Sequence, residues 1–127
     1  MKIHESAENY LETILVLRKR NGNVRSIDIA NELEFSKPSV SVAMKNLRAN
    51  GYIQVDESGN ITLLPAGQEI AQRVYEKHTV LTRYLMALGV PEEIAAEDAC
   101  RIEHVLSQES FEAIKNHASK YSEKLEG

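Results

Sequence analysis

Apolar residues recur along most of the chain with the 3.6-residue period of amphipathic helices, and the exceptions are short. The pattern predicts helices over residues 6–20, 27–33, 38–50, 65–88, 91–106 and 108–125. Two short apolar runs, 52–55 and 61–64, predict strands that are joined by a hairpin turn over 56–60. This order of elements predicts a mainly α fold with a small β-wing, in which a winged helix-turn-helix is followed by further helices.

A change of composition near Pro65 indicates the boundary between two domains. We expect a winged helix-turn-helix over residues 1–64 and a helical domain over residues 65–127. Ser6 and Ser26 are predicted to be N-caps, because a serine hydroxyl can accept a hydrogen bond from the first turn of a helix. Pro38 suits the first turn of the third helix.

Composition and charge narrow the possible functions. No apolar run approaches the about 20 residues of a membrane span, and the N-terminus lacks the apolar segment of a secretory signal. A single cysteine allows no intramolecular disulfide, so a cytoplasmic protein without a membrane partner is expected. The net charge of −4 argues weakly against nucleic-acid binding. The charge is uneven, however, because residues 18–50 carry seven basic and three acidic side chains, whereas residues 89–127 carry four and nine.

The second helix of a helix-turn-helix enters the major groove of double-stranded DNA with its first residues. Pro38 and Val42 are placed to contact thymine methyl groups, and Lys45 to contact a phosphate. The exposed start of this helix has no Arg, Asn or Gln, so readout of DNA shape is expected to be important. The predicted DNA-binding residues are Ser26, Ser36, Lys37, Pro38, Ser39, Ser41, Val42 and Lys45. A winged helix used only for protein contacts stays an open alternative.

The segment Cys-Arg-Ile-Glu-His places Cys100, Glu103 and His104 at positions i, i+3 and i+4. On a helix these positions share one face, so a sulfur, an oxygen and a nitrogen ligand would converge. One helix face is not a complete metal site, and further ligands are expected from His78 and from the first helix, where Asn9 and Glu12 share a face. A metal held by both domains would couple the metal concentration to DNA affinity.

These residues resemble those of the diphtheria-toxin-repressor family of iron- and manganese-dependent transcriptional regulators. The resemblance is carried by residues 6–12, 29–30, 36–41, 77–78 and 99–106. It implies a homodimeric repressor that binds palindromic operators when metal is plentiful and represses metal-uptake genes. We expect the two helices over 65–88 and 91–106 to supply the dimer surface.

The resemblance also implies the metal ligands, which are Asn9, Glu12, His78, Cys100, Glu103 and His104. Asn9 stands where the iron branch has Met and the manganese branch has Asp. Thr82 and Ala96 stand where the iron branch has the Glu and His of an ancillary metal site. The chain also ends before an SH3-like domain, as in the short manganese branch. Cys100 resembles the iron branch, and a thiolate also suits Fe²⁺ better than Mn²⁺ on chemical grounds. Fe²⁺ is therefore the expected effector and Mn²⁺ the alternative, while Co²⁺, Ni²⁺ or Zn²⁺ can substitute in vitro.

Two other functions compete with this interpretation. A winged-helix regulator could sense redox state or an organic ligand through Cys100. A small metal hydrolase would need an open metal position and a substrate cleft, for which the sequence shows no residues. We therefore expect a regulator and not an enzyme.

Overall fold

A computed structural model describes the backbone of residues 5–126 and the side chains of residues 6–120. Its elements, in chain order, are α1 (Glu5–Asn21), α2 (Ser26–Leu33), α3 (Lys37–Ala49), β1 (Ile53–Val55), β2 (Ile61–Leu63), α4 (Pro65–Ala87), α5 (Glu92–Ile102) and α6 (Gln108–Glu126). The two strands pair antiparallel, with Ile53 opposite Leu63. The predicted mainly α fold with a β-wing is confirmed.

The chain forms two compact units, Met1–Val74 and Tyr75–Gly127, and the division falls within α4. The domain boundary expected at Pro65 stays a prediction. Among the described residues, no helix is both long and apolar enough to cross a bilayer.

The first unit is built on the apolar sides of its helices and strands. These buried side chains are Leu11, Ile14, Leu15, Leu17, Val24, Ile29, Val40, Met44, Leu47, Ile53 and Ile61. They follow the helical period on α1 and α3, which explains why the sequence pattern located those helices well.

The helix starts differ from the predicted caps. Arg25 is the N-cap residue of α2, and Ser26 is already helical. The reason is Asp28, whose carboxylate accepts a hydrogen bond from the backbone N–H of Arg25 at 2.9 Å. Ser6 likewise lies inside α1 and is not its cap. At α3, Ser36 is the N-cap residue and its side chain accepts from the backbone N–H of Ser39.

The wing is fixed at its tip and at its base. At the tip, the Asp56 carboxylate accepts hydrogen bonds from the backbone N–H groups of Ser58 and Asn60, each at 2.9 Å. The bond from Asn60 is the main reason that the pKa of Asp56 lies below its ordinary value. At the base, the Ile61 N–H donates to the Val24 carbonyl at 2.7 Å.

The second unit has a smaller apolar core, in which Phe111 of α6 is the largest fully buried side chain. Lys115 of α6 pairs with Glu76 of α4 at 2.8 Å. One sequence expectation is wrong here: α5 ends at Ile102 and does not continue to residue 106. Residues 103–105 form a turn instead.

Candidate metal centre and nucleic-acid interface

Cys100, Glu103 and His104 converge at the end of α5. Each offers one ligand atom, and these atoms all lie within 4.8 Å of one another. Glu103 lies just past the helix but keeps helical dihedral angles (φ −58°, ψ −25°), and its N–H donates to the Ala99 carbonyl at 2.9 Å. The predicted convergence therefore holds although the predicted helix is too long.

Glu103 is the most deeply buried charged residue among those described, with 1% of its surface exposed. Its Oε2 lies 2.9 Å from Nδ1 of His78 on α4. Its Oε1 lies 3.4 Å from Nε2 of His104. This oxygen is buried and makes no hydrogen bond within the part of the chain that the structure describes. A buried carboxylate oxygen without a hydrogen bond is costly, so the arrangement suits a cation ligand.

Lys77 supports this cluster and was missed at the sequence level. Its ammonium group donates to the Leu106 carbonyl at 3.1 Å, which holds the turn that follows α5. The two residues are 29 positions apart, so no local pattern could have shown the contact. The Leu106 carbonyl belongs to the segment between α5 and α6, so the lysine donor satisfies a backbone acceptor that lies outside both helices.

The donor chemistry fits a divalent transition metal. A thiol, a carboxylate and two imidazoles suit Fe²⁺, Co²⁺, Ni²⁺ or Zn²⁺ better than Mg²⁺ or Ca²⁺, which prefer oxygen ligands. The structure thus brings His78, Cys100, Glu103 and His104 together within the second unit. The other two predicted ligands, Asn9 and Glu12, lie on α1 in the first unit, and their ligation stays a prediction.

The predicted DNA-binding residues lie on α3, from its N-cap Ser36 to Lys45, and at Ser26 on α2. All of those on α3 and its N-cap are exposed, whereas Ser26 is half-buried; the exposed ones are Ser36, Lys37, Pro38, Ser39, Ser41, Val42 and Lys45. A cavity of about 280 Å³ between the two helices is lined by Ser26, Ile27, Lys37 and Ser41.

Two of the basic residues counted in the sequence have structural partners. Arg18 donates to the Ile61 carbonyl at 3.0 Å, and Arg20 pairs with Glu32 at 3.1 Å. These contacts hold both guanidinium groups on the protein itself, so fewer basic side chains are available to reach DNA than the sequence count indicates. The basic side chains of α3 are exposed, and they are Lys37, Lys45 and Arg48.

A winged helix-turn-helix combined with a converging set of thiol, carboxylate and imidazole groups defines the class of metal-responsive DNA-binding regulators. Residues 2–60 match the family model described as "Iron dependent repressor, N-terminal DNA binding domain". Residues 64–127 match "Iron dependent repressor, metal binding and dimerisation domain". The chain belongs to the iron dependent repressor family of metal-dependent transcriptional regulators.

Individual relatives agree with this assignment. The chain is 37% identical over 109 residues to the transcriptional regulator MntR of Salmonella typhimurium, covering 86% of this chain and 69% of that protein. It is 32% identical over 123 residues to the uncharacterized HTH-type transcriptional regulator MJ0568 of Methanocaldococcus jannaschii, covering 95% and 98% of the two chains.

Among solved structures, the manganese regulator SloR matches with a TM-score of 0.79 and 27% identity, and IdeR of T. acidophilum matches with 0.76 and 27%. These matches cover 94% and 92% of this chain, which spans only 55% of the length of either solved chain. The relatives are transcriptional regulators, which confirms the expected family and the expectation of a regulator rather than an enzyme. The family models also name DNA binding and dimerisation, in agreement with the predicted partners.

Proposed function

We propose that the protein is a metal-activated repressor that binds a palindromic operator as a homodimer and controls metal-uptake genes. The observation that carries this proposal is the buried Glu103 carboxylate, whose Oε1 makes no hydrogen bond among the described residues while Cys100 and His104 converge beside it. A divalent cation would neutralise this buried charge. A metal binds tightly only in the conformation in which its ligands converge. Metal binding therefore stabilises that conformation, which we take to be the one that binds DNA.

We assign Cys100, Glu103, His104 and His78 as ligands, and we retain Asn9 and Glu12 as predicted ligands from α1. These side chains would hold the metal, which would supply positive charge next to the buried carboxylate. Lys77 holds the turn that carries Glu103 and His104. The DNA contacts are assigned to the exposed residues at the start of α3, together with Ser26.

Fe²⁺ is the proposed effector and Mn²⁺ the alternative. The Cys100 thiolate supports Fe²⁺, because it is softer than the oxygen ligands that Mn²⁺ prefers. The naming of SloR as a manganese regulator supports Mn²⁺. A Cys100→Glu variant should shift the response toward Mn²⁺, whereas an unchanged preference would remove the basis for choosing iron.

The proposal is tested by anaerobic titration of metal-stripped protein with Fe²⁺ or Mn²⁺. Binding to DNA from upstream of its own gene and direct metal binding would be measured in parallel. Tight DNA binding only after Fe²⁺ addition supports the proposal in full, and activation by Mn²⁺ alone supports the repressor but reverses the metal. DNA binding that is indifferent to both metals would contradict metal activation and favour a regulator that senses redox state or an organic ligand through Cys100.

A further inference from the structure

The recognition helix α3 leaves one large apolar side chain open to solvent. Val42 is 60% exposed, whereas Val40, two positions earlier on the same helix, is completely buried. Pro38 lies four residues before Val42 and Lys45 lies three residues after it. These spacings place all three on one side of α3, because residues three and four apart are neighbours on a helix surface.

Polar groups near Val42 are in part engaged by the protein itself. The Ser36 hydroxyl donates to the Ser39 hydroxyl at 2.8 Å and accepts from the Ser39 backbone N–H at 3.3 Å. Ser41 lines the cavity against α2 together with Lys37. Residues 37–42 contain no Arg, Asn or Gln, and the one side chain among them that can pair with guanine, Lys37, lies at the start of the helix and lines the cavity against α2. An apolar contact is therefore the main base contact that the middle of this surface can offer.

We propose that Val42 determines operator specificity by packing against the 5-methyl group of one thymine in each half-site. The inference rests on the proposed function, because it requires α3 to enter the major groove. Thymine presents a methyl group there, whereas cytosine, adenine and guanine do not. The exposed Val42 side chain would therefore favour thymine over the other bases, because only thymine offers a methyl group for it to pack against.

The test begins with operator duplexes selected from a random-sequence library by the metal-loaded protein. Each thymine is then replaced by deoxyuridine, which lacks only the methyl group. We expect one thymine per half-site at which the replacement weakens binding about fourfold, because burial of one such carbon group contributes about 0.8 kcal/mol. In Val42→Ala, whose side chain has two carbons fewer in the contact, the same replacement should have a much smaller effect. Because Val42 is exposed, this variant should fold normally, and thermal unfolding checks that it does.

A second variant and a control sharpen the result. Val42→Gln should select adenine in place of thymine at that position, because the glutamine amide can pair with the adenine edge. Lys45→Ala should weaken binding to all sequences, lower the salt dependence and keep the deoxyuridine effect. A full deoxyuridine penalty in Val42→Ala, or unchanged base selection by Val42→Gln, would overturn the assignment while metal-activated binding stands. Failure to select any duplex with Fe²⁺ or Mn²⁺ would overturn the proposed function as well.

Discussion

The most deeply buried polar side chains of the two units, Thr13 and Glu103, have different surroundings. In the first unit, Thr13 on helix α1 is 7% exposed, and its hydroxyl donates to the Asn9 carbonyl at 2.8 Å. In the second unit, Glu103 is 1% exposed and one of its oxygens makes no hydrogen bond among the described residues. The first group is satisfied within the protein, whereas the second has an oxygen that the proposed cation would neutralise.

This difference suggests where each unit obtains its stability. The first unit buries many Leu, Ile and Val side chains, so we expect it to fold without a bound metal. The second unit combines a small apolar core around Phe111 with a buried carboxylate. Metal binding should therefore stabilise it by mass action, by about 2.7 kcal/mol at a free metal concentration of 100 times the Kd.

The largest expected effect concerns the core of the second unit. Phe111→Ala should lower the free energy of unfolding by about 3–5 kcal/mol, because it removes a buried ring and leaves a cavity. Leu11→Ala in the first unit is the matched variant, with an expected loss of about 2–5 kcal/mol. Urea unfolding followed by circular dichroism measures both. If Phe111→Ala unfolds like the unchanged protein, the apolar core assigned to the second unit is wrong.

The next effect separates metal binding from folding. Glu103→Gln should weaken Co²⁺ or Fe²⁺ binding at least about 100-fold, more than the loss of a typical outer-shell partner. The metal-free variant should be no less stable, because burying a neutral amide costs less than burying a charge. Metal titration and thermal unfolding test the two statements.

Glu97→Gln is the matched control for Glu103→Gln, because Glu97 lies on α5 with its side chain 66% exposed. It should bind metal with unchanged affinity. Equal metal affinity in both variants would show that Glu103 is not a ligand.

A smaller effect is expected for the lysine behind the cluster. Lys77→Met should weaken metal binding about tenfold, the lower end of the range for groups that orient ligands. Lys77→Arg should restore most of the affinity, because arginine can also donate to the Leu106 carbonyl. Lys115→Met removes a cation of the same unit that pairs with Glu76, and it should leave metal affinity unchanged. An equal loss in the Lys77 and Lys115 variants would point to a general charge effect.

The smallest effect is a pH dependence in the first unit. The pKa of Asp56 is lowered from 3.8, mainly because the Asn60 N–H donates to its carboxylate. The Asp56 carboxylate therefore binds a proton more readily in the unfolded chain than in the folded protein. The stabilisation of the folded state by ionised Asp56 is complete above the ordinary pKa, and it is lost as the pH falls through the lower pKa of the folded protein. The melting temperature of Asp56→Ala should lie slightly below that of the unchanged protein at neutral pH, and the gap should close in acid. Glu57→Ala is the neighbouring control, and a gap that widens in acid would contradict the assignment.

Contacts that are local in sequence were predictable. The helical periods, the turn over residues 56–60 and the spacing of Cys100, Glu103 and His104 all act within a few residues, so the fold class and part of the metal cluster followed from the sequence. The predicted caps at Ser6 and Ser26 were wrong, because the position at which a helix starts depends on which nearby side chain forms a hydrogen bond with the backbone there. At α2 that group is Asp28.

The sequence by itself determined which side chains could ligate a metal or contact DNA, because it gives the chemical type of each side chain and its spacing along a helix. Only the tertiary structure decided which of them meet. His78 reaches Glu103 across 25 positions, Lys77 reaches Leu106 across 29, and Arg18 reaches the Ile61 carbonyl across 43. Packing also left Val42 exposed while burying Val40. Such long-range contacts depend on how helices pack, since the energy of burying a group is set by its neighbours in space.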